Sequence, residues 1–222
     1  MNNVLRDNLM KKGFMLVCDG SNGAGKTTVI KTIEQYLKNK GLDVIVTREP
    51  GGTPIGEKIR EIILDPTTPE MCNLTELMLF GAGRAQHINE KILPALAAGK
   101  VVISDRFDAA TFSFQHYARG IDLDTICKIN DMALNGFSPD MNIILDLDPK
   151  VGLERVMQRG EGLDRMEDEK MEFLERARNG YLTQAKQNPS KFTVIDASQT
   201  QAEVADEVIS AIDRLIENHS TC

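Results

Sequence analysis

Residues 20–27 read Gly20-Ser21-Asn22-Gly23-Ala24-Gly25-Lys26-Thr27, and this stretch decides the fold. It fits the pattern G-x-x-x-x-G-K-[ST], which needs a strand before it and a helix after it. Both flanks are present. Residues 14–18 (FMLVC) form a short apolar run that reads as a buried strand. Residues 26–40 carry Val29, Ile33 and Leu37 at helical spacing, and Gly41 stops the helix. In such a loop the glycines let backbone N–H groups close around phosphate oxygens, and the helix N-terminus adds positive potential. Lys26 is placed to reach β and γ phosphates, and the Thr27 hydroxyl is a magnesium ligand candidate. The expected triphosphate cradle is Gly20, Ser21, Asn22, Gly23, Ala24, Gly25, Lys26, Thr27 and Thr28. The bland alternative, a glycine-rich turn with a chance lysine, leaves the flanking strand and helix unexplained.

Working outward, the rhythm of strand and helix repeats. Further strands are expected at residues 43–47 (DVIVT), 100–104 (KVVIS), 141–147 (MNIILDL) and 192–196 (FTVID). Helices are expected at 55–64, at 74–98 as one long helix or two broken near Pro94, at 121–134, 151–159, 169–187 and 202–217. Strands rich in Val and Ile, each followed by a helix, imply a parallel sheet covered on both faces. The fold class is therefore α/β, a P-loop fold with a five-stranded parallel sheet flanked by helices. No internal repeat or Pro/Gly/Ser linker divides the chain. One domain is expected over 13–222, with a polar extension at 1–12 and a charged lid at about 155–168.

Composition narrows the partners. The 222 residues hold 26 Lys+Arg against 33 Asp+Glu, a net charge of −7, which disfavours non-specific binding to duplex nucleic acid. Cys18, Cys72, Cys127 and Cys222 form no C-x-x-C pair, so they read as reduced thiols of a cytoplasmic protein. The N-terminus, MNNVLRDNLMKK, lacks the apolar run of a signal peptide, and no apolar stretch nears the ~20 residues of a membrane span.

Four further clusters carry chemistry. Residues 47–53 read TREPGGT directly after the second strand, where Arg48 can present a planar fork to a second phosphate. Residues 104–107 read SDRF at the end of the third strand. Asp105 sits where a carboxylate would hold magnesium or its water, and Arg106 beside it can bind a phosphate. Arg155, Arg159 and Arg165 lie in a glycine-punctuated charged stretch, which suits a lid supplying charge to a transition state. Phe80 and Arg84 are four apart on one helix, a ring and a guanidinium placed to take a base. Taken one at a time, each also reads as a surface turn, a local ion pair, a solvated helix or a core Phe. His87, His116 and His219 show no ligand spacing and receive no role.

Together these residues resemble thymidylate kinase of the bacterial type, over about residues 14–217. The P-loop, TREPGGT, the ELMLF…R helix, SDR and the LDR segment carry the likeness. The resemblance implies transfer of the γ-phosphoryl group of ATP to dTMP, giving dTDP for dTTP synthesis, with Mg²⁺. Lys26 and Thr27 would bind ATP and metal. Arg48 and Arg106 would hold the acceptor phosphate, and Asp105 would position the metal. Phe80 would stack on the base, Arg84 would bond one of its carbonyls, and Thr111, Phe114 and Gln115 would complete the acceptor site with Asn22. No Arg stands in the P-loop, so the catalytic arginine would come from the lid, as Arg155 or Arg159. A homodimer through helices flanking the sheet is expected by the same analogy.

The chain departs from the family at Asn22, where an acidic residue is usual, and at Phe107, Ala110 and Phe114. All four bear on the acceptor pocket. They leave open a broader or modified-pyrimidine deoxynucleotide kinase, of viral origin for example. A nucleoside kinase and a nucleotide-dependent switch are disfavoured, by TREPGGT and by the number of strand-end arginines.

Overall fold

In a computed structural model of the chain, the described residues are 13–158 and 164–220. The expected extension at 1–12, Arg159 and Cys222 lie outside them. Five strands form one parallel sheet: β1 (Met15–Gly20), β2 (Val44–Arg48), β3 (Val101–Asp105), β4 (Met141–Asp146) and β5 (Phe192–Asp196). Their order across the sheet is β2-β3-β1-β4-β5. All five stand where the sequence places them, to within two residues.

Nine α-helices and two π-helical segments are described: α1 (Lys26–Asn39), α2 (Pro54–Leu64), α3 (Asn73–His87), α4 (Leu93–Ala97), α5 (Asp108–Thr111), α6 (Leu123–Leu134), α7 (Pro149–Met157), α8 (Met171–Gln187) and α9 (Gln201–Ser220). On one face of the sheet, Leu16, Ile103, Ile143 and Ile195 bury against Val29, Ile33 and Leu37 of α1 and Val204, Val208 and Ile212 of α9. On the other, Met15, Val17 and Val102 pack with Phe107, Ile88 and Ile92, and Ile144 packs with Phe114, Phe173 and Tyr181. Burial on both faces is why the central strands β1, β3 and β4 read as unbroken apolar runs; the edge strands β2 and β5 leave Val46 and Val194 exposed. Removing one such side chain, as in Ile33→Ala, typically costs ~2–5 kcal/mol.

Two helical regions depart from a simple reading. The helix after Cys72 is not broken at Pro94. It passes through a π-helical segment, Ile88–Ile92, and Pro94 enters in the first turn of α4. Proline's missing N–H does least harm in a first turn, and the wider π turn breaks the ladder just before it. The second is α5 with its π-helical continuation Phe112–Ala118, which the sequence reading left unassigned. Thr111, Ser113, Phe114, Gln115 and Ala118 are all buried, so no polar face marks the period. Three other helices start two residues away from the expected position, α8 among them at Met171 rather than 169. α6 begins at Leu123 because Asp122 caps it, accepting from the Thr125 amide at 3.1 Å. Asp148 likewise accepts from the Lys150 amide at 2.8 Å, so α7 starts at Pro149 rather than 151.

Strand register brings the chemistry to one edge. Cys18 of β1 pairs with Asp105 of β3, and Arg48 of β2 pairs with the same Asp105. The P-loop, the TREPGGT turn and the SDR turn therefore leave the carboxyl end of the sheet side by side, where open parallel sheets bind ligands.

Candidate active site

These three turns, α3 and α5 with its continuation enclose a cavity of about 340 Å³. From the P-loop it is lined by Asn22, Gly23, Gly25, Lys26, Thr27 and Thr28. Arg48, Asp105 and Arg106 line it from the strand ends, and Phe80 and Arg84 from α3. Thr111, Phe114 and Gln115 close it from the far side. The sequence-expected residues of donor and acceptor sites thus converge, with four exceptions. Ala24 is buried, and Ser21 lines a smaller neighbouring cavity. Gly20 contributes through its carbonyl, which accepts from Lys26 and Arg106. Arg155 lies exposed on α7, and its Nη1 donates to the Gly23 carbonyl from outside.

The P-loop is shaped by backbone contacts only glycine permits. A Cβ on Gly23 would stand 2.2 Å from the Gly152 carbonyl oxygen, so loop and α7 touch backbone to backbone. Gly25, at φ 93°, turns the chain into α1, and no side chain caps that helix. Its orphan first-turn amides are a ready anion site. Lys26 Nζ donates to Ser21 O at 3.0 Å and Gly20 O at 3.4 Å. Desolvation in the loop, reinforced by nearby Arg106, lowers its pKa to about 8.

Arg106 is held by backbone and side chain alike. Its φ of 68° is left-handed, a strained conformation for a residue with a Cβ. Nη1 donates to Asp19 Oδ1 at 2.8 Å and to Tyr181 Oη at 2.9 Å, and Nη2 to Asn22 Oδ1 at 2.6 Å. Tyr181 in turn donates to Asp19 Oδ1 at 2.5 Å. Burial opposes charge on Arg106, but Tyr181, Asp19 and Asp105 more than offset it and hold the guanidinium charged. Burial raises the pKa of Asp19 against the pull of Arg106. Arg48, by contrast, is exposed and pairs at 2.7 Å with Glu57.

Arg84 is 1% exposed and its donors are engaged by the protein itself. Nε donates to Glu49 Oε2 at 2.9 Å, Nη1 to Asn130 at 2.7 Å and Thr111 at 3.1 Å, and Nη2 to the Phe107 carbonyl at 3.1 Å. Glu49 also faces His87 Nδ1 at 3.0 Å, while His87 Nε2 lies 2.7 Å from the Thr47 hydroxyl. Sequence reasoning missed Asp19, Tyr181, Glu49, Asn130 and His87. Their only signal was polarity at positions that a strand or helix period would bury.

Magnesium can be tested against these residues. Asp105 Oδ1 is buried and has no hydrogen-bond partner, and Thr27 lines the same cavity. One carboxylate and one hydroxyl, completed by phosphate oxygens and water, is a donor set magnesium accepts.

A P-loop beside a cavity lined by Arg48, Arg84 and Arg106, at the carboxyl end of a parallel sheet, is the arrangement of a nucleotide phosphotransferase. Comparison with known proteins identifies the kind. The sequence profile described as thymidylate kinase matches residues 18–208. A thymidylate kinase of Geobacillus sp. (strain WCH70) is 44% identical over 207 residues, covering 93% of this chain and 99% of its own. That of Desulfosudis oleivorans is 45% identical over 208 residues, covering 91% and 97%. The crystal structure of thymidylate kinase from Ehrlichia chaffeensis aligns with a TM-score of 0.73 at 32% identity, covering 91% of this chain and 99% of its own. The chain belongs to the thymidylate kinase family, and it is an enzyme, a nucleotide kinase.

Proposed function

We propose that the residues around this cavity carry out the family's reaction: the chain phosphorylates dTMP to dTDP with ATP as donor, for dTTP synthesis. The observation that carries the residue assignment is the alignment of Arg48, Asp105 and the end of β1 across three neighbouring strands. It sets a second anion site against the P-loop. The nucleophile is an oxygen of the dTMP phosphate, already anionic at neutral pH. The site therefore needs no general base, and catalysis rests on positioning and charge.

The P-loop amides and Lys26 hold the ATP phosphates, and Lys26 follows charge onto the β–γ bridge as that bond breaks. Thr27 and Asp105 hold magnesium, which when bound screens the phosphate charges. Arg106, oriented by Asp19, Tyr181 and Asn22, holds the acceptor phosphate with Arg48. Phe80 stacks on thymine, and Thr111 and Gln115 meet its edge. Arg84 acts as the floor that orients Thr111. Phe114 crowds the 2′ position of the sugar. A lid at about 155–168 supplies the remaining charge through Arg155 or Arg159.

We further assign a homodimer. Helices α2, α3 and α6 pack side by side and leave Ile55, Ile62, Leu74, Met78 and Met132 exposed. The enzyme acts in the cytoplasm; Cys18, Cys72 and Cys127 are free thiols, and among the described residues no helix is long and apolar enough to cross a membrane.

The test is a coupled assay with Mg-ATP and a panel of dTMP, dUMP, dCMP and UMP. The expected result is a kcat/KM for dTMP above all others. Absence of turnover with dTMP would overturn the assignment.

A further inference from the structure

Glu76 lies on α3 one turn before Phe80, and it is 1% exposed. A carboxylate this deep normally costs several kcal/mol unless it is fully paired. Glu76 is paired from three directions. Its Oε1 accepts from Gln115 Nε2 at 2.8 Å and Arg119 Nε at 3.2 Å. Its Oε2 accepts from Arg119 Nη2 at 3.0 Å and Arg165 Nη2 at 2.5 Å. Arg165 also donates through Nε to the Ile63 carbonyl at 2.8 Å, at the end of α2. Arg119 also pairs with Glu169 and lies 4.6 Å over the Phe173 ring.

The pairing decides how Gln115 is oriented. An ionised carboxylate can only accept, so the amide nitrogen of Gln115 must be the end that faces it. The carbonyl end, Oε1, is then the polar atom Gln115 offers to the cavity it lines. Burial opposes ionisation of Glu76, but the bonds from Arg119, Gln115 and Arg165 prevail and hold it below the usual carboxylate range.

We infer that Glu76 is a positioning residue for base selection, holding Gln115 as a hydrogen-bond acceptor toward the base. This inference rests on the acceptor site proposed above. Thymine and uracil carry a donor, N3–H, on their pairing edge. Cytosine carries a lone pair at N3. A fixed acceptor therefore favours the first pair and repels the third. Arg119 and Arg165 act behind Glu76, because they keep it charged and in place. Residues 164–166, α3 and the base pocket are thereby tied to one carboxylate.

The experiment compares kcat/KM for dTMP and dCMP in the wild type and in Glu76→Gln. A glutamine at 76 can donate or accept, so the Gln115 amide is free to turn over. One net hydrogen bond is worth ~0.5–1.5 kcal/mol, so the dTMP preference should fall by roughly two- to tenfold. A purely structural role would lower both values together and leave the ratio unchanged, which would overturn the inference. Should Glu76→Gln fail to fold, NMR of the wild type decides. The Gln115 side-chain amide, assigned by its loss in Gln115→Met, should show one proton that is shifted downfield and protected from exchange in the free protein and stays so with dTMP bound. An amide that shifts as a direct donor to dTMP would overturn the inference too. Wild-type protein without dTMP turnover would instead remove the underlying reading.

Discussion

Lys26 is held half-buried on carbonyls of its own loop, and its charge has consequences for ATP binding. With its pKa lowered to about 8 in the free protein, a fraction of Lys26 is neutral in mildly alkaline buffer. Phosphates placed beside it favour the ammonium form and raise that pKa. Binding should then draw in a proton: about half a proton at pH 8, little at pH 7, where Lys26 is already charged. Calorimetry in buffers of different ionisation enthalpy measures this uptake. Lys26→Arg, which does not titrate, should abolish its pH dependence, and an unchanged uptake would separate it from Lys26. Lys26→Ala should lower kcat by at least a hundredfold with saturating Mg-ATP, since it removes charge that tracks the breaking bond. Arg106, proposed to hold the acceptor phosphate, is fixed by a left-handed backbone and by Asp19, Tyr181, Asn22 and the Gly20 carbonyl. Tyr181→Phe removes one anchor without touching the phosphate itself. It should raise the KM for dTMP several-fold while leaving the KM for ATP near its starting value, as steady-state kinetics will show.

At the scale of elements, α3 is fastened to the end of β2 by a buried set of polar groups around Glu49 and Arg84. Deleting one partner leaves the other charge buried and unpaired, which typically costs ~3–5 kcal/mol. Arg84→Leu should therefore lower the melting temperature by roughly 6–20 °C, measured by calorimetry, besides impairing dTMP binding. This set also shows where sequence reading stops. The strands, α1 and the turns at the carboxyl end of the sheet were legible because each is marked locally, by an apolar run, a glycine pattern or an arginine at a strand end. Arg84 was expected to face a base and does line the cavity, but its N–H groups are spent inside the protein, on Glu49, Thr111 and Asn130 from three distant segments. His87 was invisible for the same reason. Phe107, one of the family departures, is fully buried edge-on against Phe137 at 6.0 Å, and its carbonyl holds Arg84. Phe107 also lines the cavity, so that departure combines packing against Phe137 with a place in the cavity wall. The helix at Asp108–Ala118 escaped detection because it is covered on most sides and carries no polar stripe.

For the whole molecule, the exposed apolar row on α2, α3 and α6 should be covered by a second copy. Met132, 82% exposed, is the most accessible of the row. Met132→Lys combined with Met78→Lys should shift sedimentation from dimer to monomer without unfolding the chain; a monomeric wild type would remove that assignment. The lid arginines are separated by a second comparison. Whichever of Arg155→Ala and Arg159→Ala removes the transition-state charge should lower kcat by ~10³-fold with a far smaller change in KM. Near-normal kcat in both would exclude the lid as its source. The strand order has one further consequence, for biosynthesis. β1 is the first strand made, yet it is central, and both its neighbours are encoded later: Met15 pairs with Val102, and Leu16 with Met141. On the ribosome β1 has no partner until β3 emerges, almost half-way along the chain, and its second neighbour β4 comes later still. The P-loop is therefore seated on both of its sheet neighbours only after residue 145, the last partner of β1, has left the exit tunnel.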